Sequence, residues 1–202
     1  MKYMQMPQKG LLKRFSKLTI LLIFMALFTQ GIQASHLGFG LRYGLRKVVD
    51  EVVRDVYGDG YVYNPYIRWM PHPVFAFEVA YEGGYKKEAP IGIFDENSIL
   101  SVTGWEVCLV LHYRIQRFDP YVRFGYANYH YMQEIDSEFV RQTVDHRVAS
   151  SVIAGGLNVE LIKGLNVGAE VKYAPLKVQP FDVEVDLSGI RYLFSLSYFF
   201  DY

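Results

Sequence analysis

The 202-residue chain carries 21 Lys and Arg against 21 Asp and Glu, a single cysteine, and an aromatic load of 17 Tyr and 14 Phe. One cysteine excludes an intramolecular disulfide, and the balanced charge lacks the basic surplus of a nucleic-acid binder. Length and uniform composition fit one domain.

At the N-terminus, Lys2, Lys9, Lys13, Arg14 and Lys17 precede an uncharged apolar run from Leu18 to Phe28 and a polar, small-residue stretch from Thr29 to Ala34. That order is the one found in a secretory signal, with cleavage expected between Ala34 and Ser35. The apolar run of 11 residues is short of the roughly 20 that a spanning helix needs, so an uncleaved anchor is the lesser alternative. The expected organisation is a signal peptide at 1–34 and one mature domain at 35–202. Five of the 21 basic residues leave with the signal, so 16 face 21 acidic ones and the mature net charge is −5. Nucleic acid is therefore not an expected partner.

Beyond the signal, apolar and polar residues alternate with the period of two that marks a strand with one apolar face. In strand one, Leu37, Phe39, Leu41, Tyr43 and Leu45 oppose Gly38, Gly40, Arg42, Gly44 and Arg46. In the following link, Val49, Val52, Val53 and Val56 recur at helical spacing among Lys47, Asp50, Glu51, Arg54 and Asp55, which predicts a short amphipathic helix over 47–57. Its valines either cap the rim of the fold, extend strand one, or offer a contact surface.

Strand two, near 61–70, sets Tyr61, Tyr63, Ile67 and Trp69 against Asn64 and Arg68. Strand three, near 74–86, sets Phe75, Phe77, Val79, Tyr81 and Tyr85 against Ala76, Glu78, Ala80 and Glu82. Strand four, near 98–116, sets Trp105, Val107, Leu109, Leu111, Tyr113 and Ile115 against Glu106, Cys108, His112, Arg114 and Gln116. Strand five, near 120–133, is less regular, with Val122, Phe124 and Tyr126 opposite Tyr121, Arg123 and Gly125.

Strand six, near 147–162, has Ile153, Leu157, Val159 and Leu161 opposite Ser150, Asn158 and Glu160. Strand seven, near 165–177, has Leu165, Val167, Ala169, Val171 and Tyr173 opposite Asn166, Gly168, Glu170 and Lys172. Strand eight, from 187 to 202, aligns Ile190, Tyr192, Phe194, Leu196, Tyr198, Phe200 and Tyr202 against Arg191, Ser195, Ser197 and Asp201, with Leu193 and Phe199 as exceptions.

The links alternate in length. Met70-Pro71-His72-Pro73, Arg117-Phe118-Asp119-Pro120 and Lys163-Gly164 are tight, while 47–60, 87–97, 134–146 and 178–186 are long. An even strand number with short turns at one end and long loops at the other is the pattern of an outer-membrane barrel. No apolar stretch after residue 34 is long enough for a spanning helix, and in hydrocarbon only a closed barrel leaves no unpaired edge. The expected fold is all-β, an eight-stranded antiparallel up-and-down transmembrane β-barrel, with Tyr61, Trp69, Trp105, Tyr113 and Tyr202 in interfacial girdles.

Alternation alone also permits a soluble barrel with an apolar lumen. The polar face decides for lipid outside, because it mixes small residues with charges of both signs, as a crowded interior would. Its expected network comprises Arg42, Arg68, Glu78, Glu82, Glu106, His112, Arg114, Arg123, Glu160, Glu170, Lys172 and Arg191. These groups should pair with one another, since an eight-stranded barrel has room only for side chains and an unpaired buried charge is costly.

With these features the chain resembles the small eight-stranded outer-membrane barrels, the OmpX, OmpW and OmpA transmembrane-domain families, over essentially all of residues 36–202. The most specific part is the last strand, Arg191 to Tyr202, which looks like the aromatic-ended assembly signal of that group, carried here by Tyr198, Phe200 and Tyr202. The resemblance implies a porin-like protein of a Gram-negative outer membrane that contacts its lipid and the barrel-assembly machinery. A terminal Phe is commoner, so Tyr202 is a departure.

Some such barrels modify lipid A, which calls for a nucleophile beside a base. His146 and Ser150 share a parity near Asp145, but regular strand rise separates them by roughly 13 Å. His36, His72 and His130 lack metal-ligand spacing, and no phosphate-cradling loop is present. The expectation is no enzyme, no catalytic residue, no metal and no cofactor: a structural, surface-interaction or protective barrel, with a narrow channel or carrier for small molecules as the alternative and a lipid A-modifying enzyme third. The sequence names no external ligand.

Overall fold

The computed structural model describes residues 36–91, 96–136, 141–179 and 185–200; the expected signal peptide with its cleavage point, and Tyr202, lie outside them. The strands are β1 (His36–Val48), β2 (Gly60–Met70), β3 (Phe75–Ile91), β4 (Glu96–His112), β5 (Phe118–Asp136), β6 (Arg141–Ile162), β7 (Leu165–Ala174), the two-residue β8 (Lys177–Val178) and β9 (Val185–Asp186), and β10 (Gly189–Phe200). Eight of them close into one antiparallel barrel in the order β1-β10-β7-β6-β5-β4-β3-β2, while β8 and β9 pair only with each other. Closure runs through β1 and β10, from Leu37 opposite Phe200 to Val48 opposite Gly189, so neither terminal strand keeps a free edge.

Apolar side chains form a belt around the outside. It takes in residues 37–45 of β1, 61–69 of β2, 75–81 of β3, 105–111 of β4, 118–126 of β5, 153–161 of β6, 165–173 of β7 and 192–200 of β10, counting alternate positions. The exposed set includes Phe39, Trp69, Trp105, Phe124 and Phe194, the last 76% exposed. A height of about nine residues matches tilted strands crossing a hydrocarbon layer.

Among the described residues one helix, α1 (Glu51–Tyr57), rises from the first long link. Asp50 caps it by accepting the Val53 N–H at 3.0 Å, and Gly58, with φ 71°, ends it. It is shorter than the predicted 47–57, because Lys47 and Val48 continue β1 opposite β10. Of its spaced valines only Val53 is buried.

Three further departures have local causes. Alternation carries strand four to Gln116, but β4 stops at His112: the Ile115–Phe118 backbone bonds and a Gln116 with φ 56° close the hairpin earlier. Phe118 and Pro120 therefore already pair with β6. The expected long links 87–97 and 134–146 are largely strand, since β3 reaches Ile91, β4 begins at Glu96, β5 reaches Asp136 and β6 begins at Arg141.

Alternation also assigns Tyr85 to the lipid face, yet it points inward. Between Glu82 and Tyr85 the register against β4 slips by one residue, and Gly84 takes φ 95° there. An inserted residue flips the parity of everything after it. Tyr85 is consequently 1% exposed.

Candidate functional site

The barrel interior is the site that these strands enclose, and it has three levels. At belt height, nine of the twelve residues assigned to the interior network meet in a continuous chain of ion pairs. Arg42 grips Glu78 with both terminal nitrogens at 2.9 and 2.8 Å, and Arg68 donates to the same carboxylate at 2.7 and 2.9 Å. Arg42 Nε lies 3.1 Å from Glu170, which also receives Arg123 at 2.8 and 3.0 Å. Arg123 reaches Glu106 at 2.9 Å as well. Lys172 joins Glu106, at 2.6 Å, to Glu82, and Arg191 completes the chain on Glu82 at 3.0 Å.

All nine side chains are essentially inaccessible to solvent. Seven strands contribute, each through inward parity, so the network ties opposite walls of the barrel together. Aromatic groups fill around it: the Tyr66 ring lies 3.8 Å from the Arg42 guanidinium, Tyr121 donates to Glu170 at 2.8 Å and Tyr129 to Glu106 at 3.2 Å. Cys108 is buried within 3.4 Å of Arg123. Bidentate, charge-assisted contacts of this kind fix side chains in place rather than leaving them free to react.

Arg46, inward by parity but outside the assigned network, lies above this level. It is fully buried, donates to the Leu187 carbonyl at 2.6 Å and covers the Tyr85 ring at 4.4 Å. Here the interior turns apolar. Val62, Tyr85, Leu100, Val102, Val144 and Val152 from the strands pack with Val53 of α1 and with Leu176, Val178 and Leu187 of the last link. Tyr57 of the helix meets Ser98 and Gln133 at 3.0 and 2.9 Å, which fastens α1 onto β4 and β5.

The remaining three assigned residues lie at the turn end and do not join the network. The sequence pattern groups His112 with Glu106 and Arg114; instead its Nδ1 lies 3.0 Å from Asp119. Arg114 belongs to the β4–β5 turn, where its side chain is 55% exposed and pairs with Glu160. Parity does not hold for it because β4 ends two residues earlier. Asp119, read in the sequence as part of the tight turn 117–120, lies within β5 on the inward parity of Tyr121 and Arg123, which sets it beside His112.

His146 and Ser150 do not meet. Ser150 donates to the Pro175 carbonyl, and Asp145 pairs with His130 at 2.7 Å. Among the described residues no three His, Cys, Asp or Glu groups converge as a metal cluster. Tyr198 and Phe200 of the expected assembly signal face outward in ring contact, 5.0 Å between centroids, and Phe39 packs on both.

No protein-family model matches the chain, and no curated protein matches its sequence. Solved structures do share its architecture. The outer membrane protein OprG from Pseudomonas aeruginosa superposes with a TM-score of 0.64 at 12% identity, covering 86% of this chain and 99% of that one. The N-terminal β-barrel domain of Pseudomonas aeruginosa OprF gives 0.55 at 11%, covering 83% and 100%. Ail, the attachment invasion locus protein of Yersinia pestis, in complex with the heparin analogue sucrose octasulfate, gives 0.51 at 14%, covering 83% and 98%. The chain thus has the fold of the small eight-stranded outer-membrane barrels.

Proposed function

We propose that the mature chain is an integral, non-enzymatic barrel of a Gram-negative outer membrane with a structural, surface-interaction or protective role. The observation that carries this reading is the filled lumen: a cross-braced ionic level at belt height and an apolar cap above it leave side chains where a pore or a substrate would have to be. The belt meets membrane lipid, the tight turns face the periplasm, and β3 to β6 carry the exposed surface outward beyond the belt. The aromatic end of β10 is what the assembly machinery would read.

Purified, folded protein in a planar bilayer is expected to give no steady single-channel current. Steady currents would overturn the closed-lumen reading in favour of the channel alternative. Cell fractionation should place the protein in the outer membrane, with faster gel mobility before heating than after. Recovery in the soluble periplasm would defeat the membrane assignment. Lipid A from expressing cells should keep its mass, and a mass shift would establish the enzyme instead.

A further inference from the structure

At the long-loop end of the outer wall, the belt stops on an aromatic residue in β2, β3, β4, β5, β7 and β10: Tyr61, Tyr81, Trp105, Tyr126, Tyr173 and Tyr192. Beyond that girdle the charges are sorted. On β3 Lys86 comes before Glu88, on β5 His130 comes before Glu134 and Asp136, and on β6, which runs the other way, Arg147 lies nearer the belt than Asp145. Cations thus stand next to the girdle and acids farther out.

Two rows of this wall meet in a pocket. Register sets Tyr81 opposite Trp105 and Trp105 opposite Asn128; one outward-facing row farther from the belt it sets Thr103 opposite His130 and His130 opposite Arg147. These six residues line a depression of about 300 Å³. The Tyr81 and Trp105 rings are 5.1 Å apart between centroids and tilted by 60°. Asp145 lies 2.7 Å from His130 Nε2, which engages its charge with the imidazole. Lys86 and Arg147 form no ion pair among the described residues, whereas Arg141, farther out on β6, is held by Asp136 at 3.0 Å.

We propose that this pocket binds the phosphorylated sugar headgroup of an outer-leaflet glycolipid, with Arg147 on the phosphate and the sugar ring against Trp105. The inference rests on the outer-membrane reading above and adds a particular lipid to it. A guanidinium fork matches phosphate oxygens bidentately, and cations at a membrane surface attract anionic headgroups. A zwitterionic phospholipid fits less well, because its own ammonium neutralises its phosphate and it brings no ring to stack. The girdle forms one side of the pocket, so a ligand held there continues onto the apolar belt. That continuity favours a lipid over a sugar phosphate from water.

The test is native mass spectrometry of the mature barrel, folded in detergent micelles and titrated with diphosphoryl lipid A or with phosphatidylethanolamine. The parent should retain lipid A in preference to phosphatidylethanolamine. Arg147→Gln should weaken lipid A binding about five-fold or more, Arg147→Lys less, and Arg141→Gln not at all. Trp105→Leu, which keeps the wall apolar, should lower the preference for lipid A without changing retention of phosphatidylethanolamine. Each variant is first checked for the heat-dependent mobility shift, so that a folding defect is not read as lost binding. No preference for lipid A in the parent, or a preference that Arg147→Gln leaves intact, overturns the proposal. Glucose 1-phosphate bound as tightly as lipid A, and lost in Arg147→Gln, overturns it in favour of a water-borne ligand. A barrel that fractionates with the outer membrane yet shows no preference defeats this inference alone, whereas recovery in the soluble periplasm defeats the membrane reading with it.

Discussion

At belt height the barrel is held shut by Arg42, Arg68, Arg123, Lys172 and Arg191 interlocked with Glu78, Glu82, Glu106 and Glu170, whereas above the belt it is shut by Val62, Leu100, Leu176 and Leu187 packed without charge. The first closure is all-or-nothing, because each carboxylate serves two or three cations and removing one strands the others in a dry space. The second is graded, because an apolar contact is worth what it buries and its neighbours can relax. The two levels also differ in source. The ionic level comes entirely from barrel strands, while the cap borrows α1 and the last link.

The sharpest break should come from Arg123→Ala, which takes from Glu170 its bidentate partner and from Glu106 one of its two cations. Breaking a buried pair in this way costs about 3 to 5 kcal/mol. Urea unfolding in micelles should show that loss, and an unchanged midpoint would mean that water or a neighbouring cation substitutes freely.

Leu100→Ala attacks the cap instead. Leu100 is 1% exposed, and its truncation should cost about 2 to 5 kcal/mol, towards the lower end because the link segments can settle inward. Amide exchange separates the levels: α1 should lose protection in this variant while β1 and β10 keep theirs. Equal loss at both levels would show that cap and ionic level open as one unit.

The contrast also explains what the sequence could and could not disclose. Period-two alternation places Arg42, Glu78, Arg123 and Lys172 inside because parity is a property of each strand alone, and regular strands keep it. Parity is lost wherever a residue is inserted or a strand ends, which is why it misplaces Tyr85 and Arg114. Gly83-Gly84 within strand three is a local hint of a bulge, but glycines also stand at regular inward positions such as Gly38 and Gly40, so the hint does not fix where parity breaks, and nothing local marks Gln116 as the place where the chain reverses. The cap is hidden for a different reason: Leu176 and Leu187 fall within the expected ends of strands seven and eight, but β7 stops at Ala174 and β10 starts at Gly189, so their burial depends on how the chain leaves and re-enters the barrel there.

Gly84→Ala tests the bulge on which Tyr85's place in the cap depends. With φ 95°, and with the Tyr63 ring and the Tyr61 carbonyl within 3.3 Å of where a Cβ would stand, the substitution is strained whatever side chain follows. A cost above about 1 kcal/mol is expected. Tyr85 accessibility to a fluorescence quencher or nitrating reagent should rise if the strand relieves the strain by deleting the bulge, since Tyr85 would then swing towards lipid. Stability lost with Tyr85 still protected would instead mean that β3 keeps its register and bears the strain.

The smallest effect is expected at Arg114. Its pairing with Glu160 is an ion pair by distance, like those of the ionic level, but its side chain is 55% exposed on the turn. Exposed pairs contribute about 0 to 1 kcal/mol because water and salt screen them and two long side chains must be ordered. Arg114→Ala should therefore shift the urea midpoint little, and the shift should vanish at high salt, whereas the Arg123→Ala loss should persist there. A salt-resistant loss at Arg114 comparable to that at Arg123 would mean that burial is not what separates the two.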